Sequence, residues 1–419
     1  MARTVHIIGA GLAGLAAAVR LARSGAEIVI HEATEQPGGR CRSYYDRAVD
    51  LVIDNGNHLV LSGNHAVLSF VQTIGSADQL QGPDTADFPF IDLATGERWT
   101  LRISGGRLPW WIFDADRRVP GTETRDYLSM ARLLWPKAHG SVGDAIGCKG
   151  PLYERLMRPL LLAVLNIEPR DGSAALAAAV LRETLAVGGQ ACRPLIAREG
   201  LGKAFIEPAL AYLEAHGTTV RLRHELRALR CEAAQVSQLD FGSHVIGLKS
   251  GDMVILAVPP NAASALLPDL RVPCAFRAIV NAHFRVDVPP EVPPMIGLVN
   301  ATTEWIFAFP GRLSVTISAA DRLLDTPRAE LAQAIWREVS QVTGAPGTLP
   351  PWQIVRERRA TFAATPEQNA RRPGAQTRWS NLLLAGDWTA TGLPATLESA
   401  IRSGYRAAEL VERLSLKAA

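Results

Sequence analysis

The stretch that most restricts the fold lies near the start of the chain: TVHIIGAGLAGLAAAVRLARSGAEIVIHE, residues 4–32. Thr4–Ile8 is a short, apolar, partly β-branched run, the pattern of a buried strand. Residues 12–23 carry Leu15, Val19 and Ala22 at helical spacing, and Gly25 marks the end of that helix. Residues 27–32, EIVIHE, read as a second strand. Strand, helix and strand in this order form a βαβ unit, with Gly9, Gly11 and Gly14 in its first turn. The first glycine permits the tight turn. The second lets backbone amides approach a diphosphate at the positive helix end, and the third lets helix and strand pack closely. Glu32 closes the second strand, 18 residues beyond Gly14. A carboxylate there can accept from the ribose hydroxyl of an adenine dinucleotide.

Nicotinamide and flavin dinucleotides both use such a turn, and the next segment separates them. Gln36-Pro37-Gly38-Gly39-Arg40 adds a second glycine pair that extends the cradle along the diphosphate, and Arg40 adds positive charge. With this segment the chain resembles the flavoprotein amine oxidase and phytoene desaturase superfamily, whose signature runs G-x-G-x-x-G, Glu, then G-G-R. The likeness continues through Asp54-Asn55-Gly56-Asn57-His58, DMVILAVPP, and LLLAGDWTATGLPATLESAIRSGYRAAELV near the end.

The resemblance implies a bound FAD. Gly386 and Asp387 would hold its ribitol. The helix starting at Leu397 would aim its amides at the pyrimidine end, where a reduced flavin carries negative charge. Leu12, Ala13, Asn57, His58 and Leu226 complete the expected contacts. No cysteine lies near the last turn, so the flavin is expected to be non-covalent. No second dinucleotide turn is visible, which leaves NAD(P)H as an external reductant, another protein, or a quinol.

Within the superfamily, amine oxidases place an aromatic cage residue where this chain has Thr396. DNGNH followed by Gly63-Asn64, the block PLYERLMRPLLLAVLNIEPRDGSAALAAAVLRETL, and EWIFAFPGRLSVTISAA are similar to segments of the hydroxysqualene dehydroxylases of bacterial hopanoid synthesis. Asn57 departs from their more usual Gln but keeps an amide. The implied reaction is reductive: an allylic alcohol loses its hydroxyl and gains a hydride, giving squalene. The departing hydroxyl needs a proton donor. His58, held by Asp54, is the catalytic candidate; the alternative is that both residues pin their loop. An oxidising polyene desaturase, an amine oxidase and an FAD-binding protein without turnover are the competing readings.

A length of 419 residues implies two lobes. The expected fold is α/β: a Rossmann-type FAD-binding domain (1–85, 200–262 and 351–419) interleaved with a substrate domain of antiparallel sheet and helices (86–199 and 263–350). A balance of 44 Lys plus Arg against 41 Asp plus Glu argues against a nucleic-acid partner. Five cysteines without a CxxC suggest free thiols and a cytoplasmic setting. No apolar run is long enough to span a bilayer. A polyprenyl lipid substrate suggests peripheral contact with the inner face of the cytoplasmic membrane, with Arg107-Leu108-Pro109-Trp110-Trp111-Ile112-Phe113 as the candidate segment; the alternative is that these aromatics cap the substrate lobe. Squalene-synthase-like enzymes would be the pathway partners.

Overall fold

The computed structural model describes residues 3–137 and 139–418. Its first lobe is built on a five-stranded sheet in the order Thr219–Arg221, Glu27–His31, Thr4–Ile8, Met253–Leu256, Leu382–Leu384. All its pairings are parallel, with Val5 between Ile28 and Met253. Strands from the beginning, middle and end of the chain thus meet in one sheet, as the interleaved reading requires.

Helix Leu12–Leu21 buries every residue except Arg20. One apolar face was expected, but a helix apolar all round must be covered all round. The sheet takes one side and helix Leu397–Ala418 the other. The two helices approach backbone to backbone: a Cβ at Gly404 would lie 2.2 Å from the Ala13 carbonyl oxygen.

The second lobe centres on a seven-stranded sheet in the order Trp352–Phe362, Phe276–Arg285, Arg312–Ile317, Trp305–Phe309, Met295–Val299, Asp87–Asp92, Arg98–Arg102. It is antiparallel except where Met295–Val299 runs beside Asp87–Asp92. Side-chain alternation divides its faces. Ile306, Val315 and Phe284 pack with Trp336 of helix Arg328–Thr343, whereas Trp305 and Phe307 face the other way.

Strand Trp352–Phe362 departs from the sequence boundaries, which grouped it with the first lobe. It pairs antiparallel with Phe276–Arg285, Phe362 opposite Phe276, across one register shift between Arg277 and Ile279, and the chain rejoins the parallel sheet only at Leu382. A change in composition locates a boundary, but strand pairing decides membership. A small sheet of Leu59–Leu61, Pro194–Ala197 and Leu80–Gln81 stitches the lobes together. All five cysteines are free. Among the described residues no helix is long and apolar enough to cross a membrane.

Candidate active site

A cavity of about 1200 Å³ runs between the lobes. At one end the backbone forms its wall. Gly9 has φ +104°, and a Cβ there would meet the Ala257 carbonyl oxygen at 2.6 Å. Gly14 comes closer still, 2.0 Å from the Gly9 carbonyl oxygen. Gly11 is different: a Cβ there would meet nothing within 4 Å and would project into the cavity. Gly11 also caps helix Leu12–Leu21 without any side-chain hydrogen bond, which leaves the first amides free for an anion. Gly38 donates its N–H to Ala10 O (2.8 Å) and bridges to Gly11, so the two glycine turns form one surface. Leu12, Ala13, Gly39, Arg40 and Leu226 line the same region. This wall has the shape and free donors that a dinucleotide diphosphate requires.

Glu32 also lines the cavity, and its carboxylate is already in use. It accepts from Ala10 N–H at 2.8 Å and from both the N–H and the hydroxyl of Thr34 at 2.9 and 2.8 Å. It fastens the glycine turn as well as lining the cavity. Beside it runs a chain of imidazoles that periodicity does not reveal. His31 Nε2 lies 3.1 Å from His6 Nδ1, and His31 Nδ1 lies 2.8 Å from His224 Nδ1. Burial, with further help from His6, lowers the His31 pKa to about 3.

Asp387 is buried and pairs with Arg40 at 2.7 Å, joining the last glycine turn to the second one. Arg372, unremarkable in the sequence, supports this turn by donating to Asp387 O at 3.1 Å. Gly386 lines the cavity and donates its N–H to Ser403 Oγ at 2.8 Å. Helix Leu397–Ala418 begins at the cavity wall, where Thr396 Oγ1 caps it by accepting from Ser399 N–H at 3.1 Å. Glu398 turns away and accepts from Ala66 and Val67 N–H at 3.0 and 2.9 Å. One carboxylate thus stabilises the start of helix His65–Thr73.

The other end of the cavity is apolar. Phe88, Leu101, Leu160, Leu161, Trp305 and Phe307 line it. They come from the seven-stranded sheet, from helix Arg158–Leu165 and from strands far apart in sequence. Trp305 and Phe307 share a face, as their alternation predicts, and it is the cavity face.

Residues 55–58 lie where the two ends meet. Asn57 donates its amide to Thr316 Oγ1 (3.1 Å), and Thr316 donates to Asn281 Oδ1 (2.9 Å). Asn57 Oδ1 is buried and accepts no hydrogen bond in the protein. A buried acceptor without a donor is costly, so this amide suits a ligand that brings an N–H or O–H.

The structure does not bring Asp54 to His58. Asp54 is buried outside the cavity lining, where it accepts from the Ser43 hydroxyl and from Leu201 N–H at 2.9 Å. It pins its loop, the bland one of the two expectations. His58 does line the cavity. Burial, with the positive charge of Arg40, lowers its pKa to about 4. The ring is neutral at physiological pH, so it holds no spare proton there. Asn281, Thr316, Asn166 and Ser318 also reach the cavity wall and were not anticipated. Asn281 and Thr316 sit on strands that alternate toward it, whereas Asn166 caps the end of helix Arg158–Leu165 and Ser318 follows strand Arg312–Ile317.

A model of the family described as flavin containing amine oxidoreductase matches residues 12–412. A hydroxysqualene dehydroxylase of Rhodopseudomonas palustris is 58% identical over 98% of this chain and 99% of its own. One from Zymomonas mobilis is 46% identical over 97% and 98%. Among solved structures, a cyclohexylamine oxidase from Brevibacterium oxydans superposes with a TM-score of 0.71 over 99% of both chains at 15% identity. An oxidoreductase from Methanosarcina mazei gives 0.71 over 97% of this chain and all of its own, at 14% identity. These structures share the fold, and the sequence relatives narrow the branch. A flavin-dependent oxidoreductase is what this cradle and these relatives describe, and the chain belongs to the family of flavin-containing amine oxidoreductases, in its hydroxysqualene dehydroxylase branch.

Proposed function

We propose that the protein binds FAD non-covalently and reductively removes the hydroxyl of hydroxysqualene to give squalene. The observation that carries this reading is the two-ended cavity, a glycine cradle opening into an apolar chamber, in a chain whose full-length relatives bear that activity's name. When bound and reduced, the flavin supplies a hydride. The protein's own part is to hold and exclude. The amides after Gly11 and the Arg40–Asp387 pair bind charge, and the start of helix Leu397–Ala418 favours negative charge at its end of the cavity. The apolar chamber accepts a long polyene and keeps water from a carbon acquiring positive character.

Reduced enzyme incubated anaerobically with hydroxysqualene should yield squalene, followed by lipid analysis. Arms with NADH, NADPH and a quinol identify the reductant. Dehydrogenation of phytoene, with hydroxysqualene untouched, would sink the reading in favour of a desaturase.

A lipid substrate leads us to propose contact with the inner face of the cytoplasmic membrane. Leu108, Trp110 and Phe113 are exposed beside Arg107, which suits an interfacial segment. Trp111 does not belong to that surface: it is buried, edge-on to Tyr127 at 5.2 Å. Wild type should float with anionic liposomes and a Trp110→Ser/Phe113→Ser variant should not. If neither floats, the contact is wrong.

A further inference from the structure

Reductive loss of a hydroxyl needs a proton on the departing oxygen, and the neutral His58 ring is poorly suited to give one. Most carboxylates on the cavity wall are committed elsewhere. Glu32 fastens the first turn, Asp387 pairs with Arg40, Glu183 pairs with Arg402, and Glu398 caps a helix.

One acidic group behind the wall is placed differently. Glu304 immediately precedes strand Trp305–Phe309, and Ser318 immediately follows the neighbouring strand Arg312–Ile317. Trp305 and Thr316 are cross-strand partners, which brings Glu304 beside Ser318. Ser318 donates its N–H to Glu304 Oε2 at 2.7 Å, which holds the serine beside that carboxylate. Ser318 is 2% exposed, yet it lines the cavity, two residues from the Thr316 that contacts Asn57. The backbone around the pair is fixed. Glu304 O accepts Leu298 N–H at 2.8 Å, and Asn166 Oδ1 accepts Ala319 N–H at 2.7 Å.

We propose that Ser318 delivers a proton to the departing hydroxyl and that Glu304 resupplies Ser318 from behind the cavity wall. This rests on the dehydroxylation reading. The Ser318 proton bonds to the leaving oxygen as the allylic C–O bond breaks, and water departs. The flavin, when bound and reduced, would supply the hydride that the carbon takes; Glu304 returns a proton to Ser318 Oγ, and solvent reprotonates Glu304.

The electrostatics support the geometry. Arg158 and Arg322 are the charged groups that act on Glu304, from helix Arg158–Leu165 and turn Ala320–Leu323. Each has another partner: Arg158 binds Glu168 at 3.0 Å, and Arg322 donates to Ala319 O at 3.1 Å. Burial outweighs them and the Ser318 bonds, and raises the Glu304 pKa to about 7. A carboxyl titrating there can give and regain a proton under working conditions.

The test uses full-length holoenzyme, reduced and mixed anaerobically with hydroxysqualene, with flavin reoxidation followed against pH. The wild-type rate should fall as pH rises through neutrality. Glu304→Gln should be slower by about a hundredfold or more and lack that limb. Glu304→Asp should restore it. Ser318→Ala should be slow as well, but keeps the backbone bond to Glu304. Infrared difference spectra of the oxidised protein across neutrality supply a readout independent of turnover. A protonated-carboxyl band should titrate in wild type and in Ser318→Ala and be missing in Glu304→Gln. Wild-type rates and an unchanged pH limb in Glu304→Gln and Ser318→Ala would overturn the relay alone, as would a band indifferent to Glu304. A wild-type enzyme that never consumes hydroxysqualene overturns the dehydroxylation reading, and the relay falls with it.

Discussion

The two ends of the cavity are built on opposite plans. At the cradle end the backbone is the binding surface. Glycines turn it, Glu32 and Asp387 tie its loops together, and Gly11 leaves space in front of free amides. At the chamber end the backbone is hidden in sheet and helix, and side chains such as Phe88, Leu161 and Phe307 make the wall. The first plan tolerates little change, because a single Cβ meets backbone or fills the ligand's place. The second distributes its job over many apolar groups, each replaceable at modest cost.

That contrast can be broken most sharply at Gly11. A Gly11→Val chain should fold, since a side chain there meets no protein atom near its Cβ, but should lose flavin affinity by about a hundredfold or more, roughly 3 kcal/mol. Fluorimetric flavin titration checks this, and a yellow, fully loaded variant would contradict the cradle. Next comes pH, where the two ends should respond with opposite sign. His31 titrates at about 3 when folded against an ordinary 6.5. The unfolded chain takes up that proton first, so stability is lost as pH falls from 6.5 toward 3. Glu304 titrates at about 7 against an ordinary 4.5, so its favourable contribution is full below 4.5 and is lost as pH rises toward 7. Melting temperatures measured across pH should show His31→Gln flattening the acid slope and Glu304→Gln flattening the slope between 4.5 and 7.

A smaller effect tests the chamber. Val180 is partly buried and lines it. Val180→Trp should raise KM for the long substrate about tenfold, the cost of roughly 1.4 kcal/mol, with flavin content unchanged. If flavin is lost in step, the two ends are not separable. The smallest effect belongs to His58. Its neutral ring can offer no more than an ordinary hydrogen bond, so His58→Ala should cost about fivefold or less, near 1 kcal/mol, and leave the pH profile of turnover in place.

What could be read beforehand follows the same division. Gly9, Gly11, Gly14 and Glu32 are adjacent in sequence because one βαβ unit makes the cradle, so a short stretch betrays it. Arg40 and Asp387 were both singled out, but their pairing was not, since 347 positions separate them. The chamber was invisible as a place. Trp305 and Phe307 alternate in either case, and alternation alone does not say whether a face meets core or cavity. Asp54 misled because DNGNH reads as a catalytic cluster. In the fold a strand ends at Asp54, and its carboxylate is taken up by the Ser43 hydroxyl and Leu201 N–H rather than by His58. Glu304 gave no signal, since an isolated acidic residue becomes distinctive only when burial and Ser318 surround it.

Helix Leu397–Ala418 has a consequence for how the protein is made. It covers the apolar outer side of Leu12–Leu21, and Gly404 admits no spacer between the two backbones. A ribosome adding about 5–20 residues per second releases the first helix long before the last exists. For tens of seconds or more, the face carrying Ala13, Ala16 and Ala17 emerges without the helix that will cover it. The sheet beneath is equally incomplete until Met253–Leu256 and Leu382–Leu384 arrive to flank and extend it. The oldest part of the nascent chain therefore completes its packing last. Holdase chaperones would find their longest-lived target at helix Leu12–Leu21, and a truncation that removes Gly404 and its turn leaves that same segment uncovered.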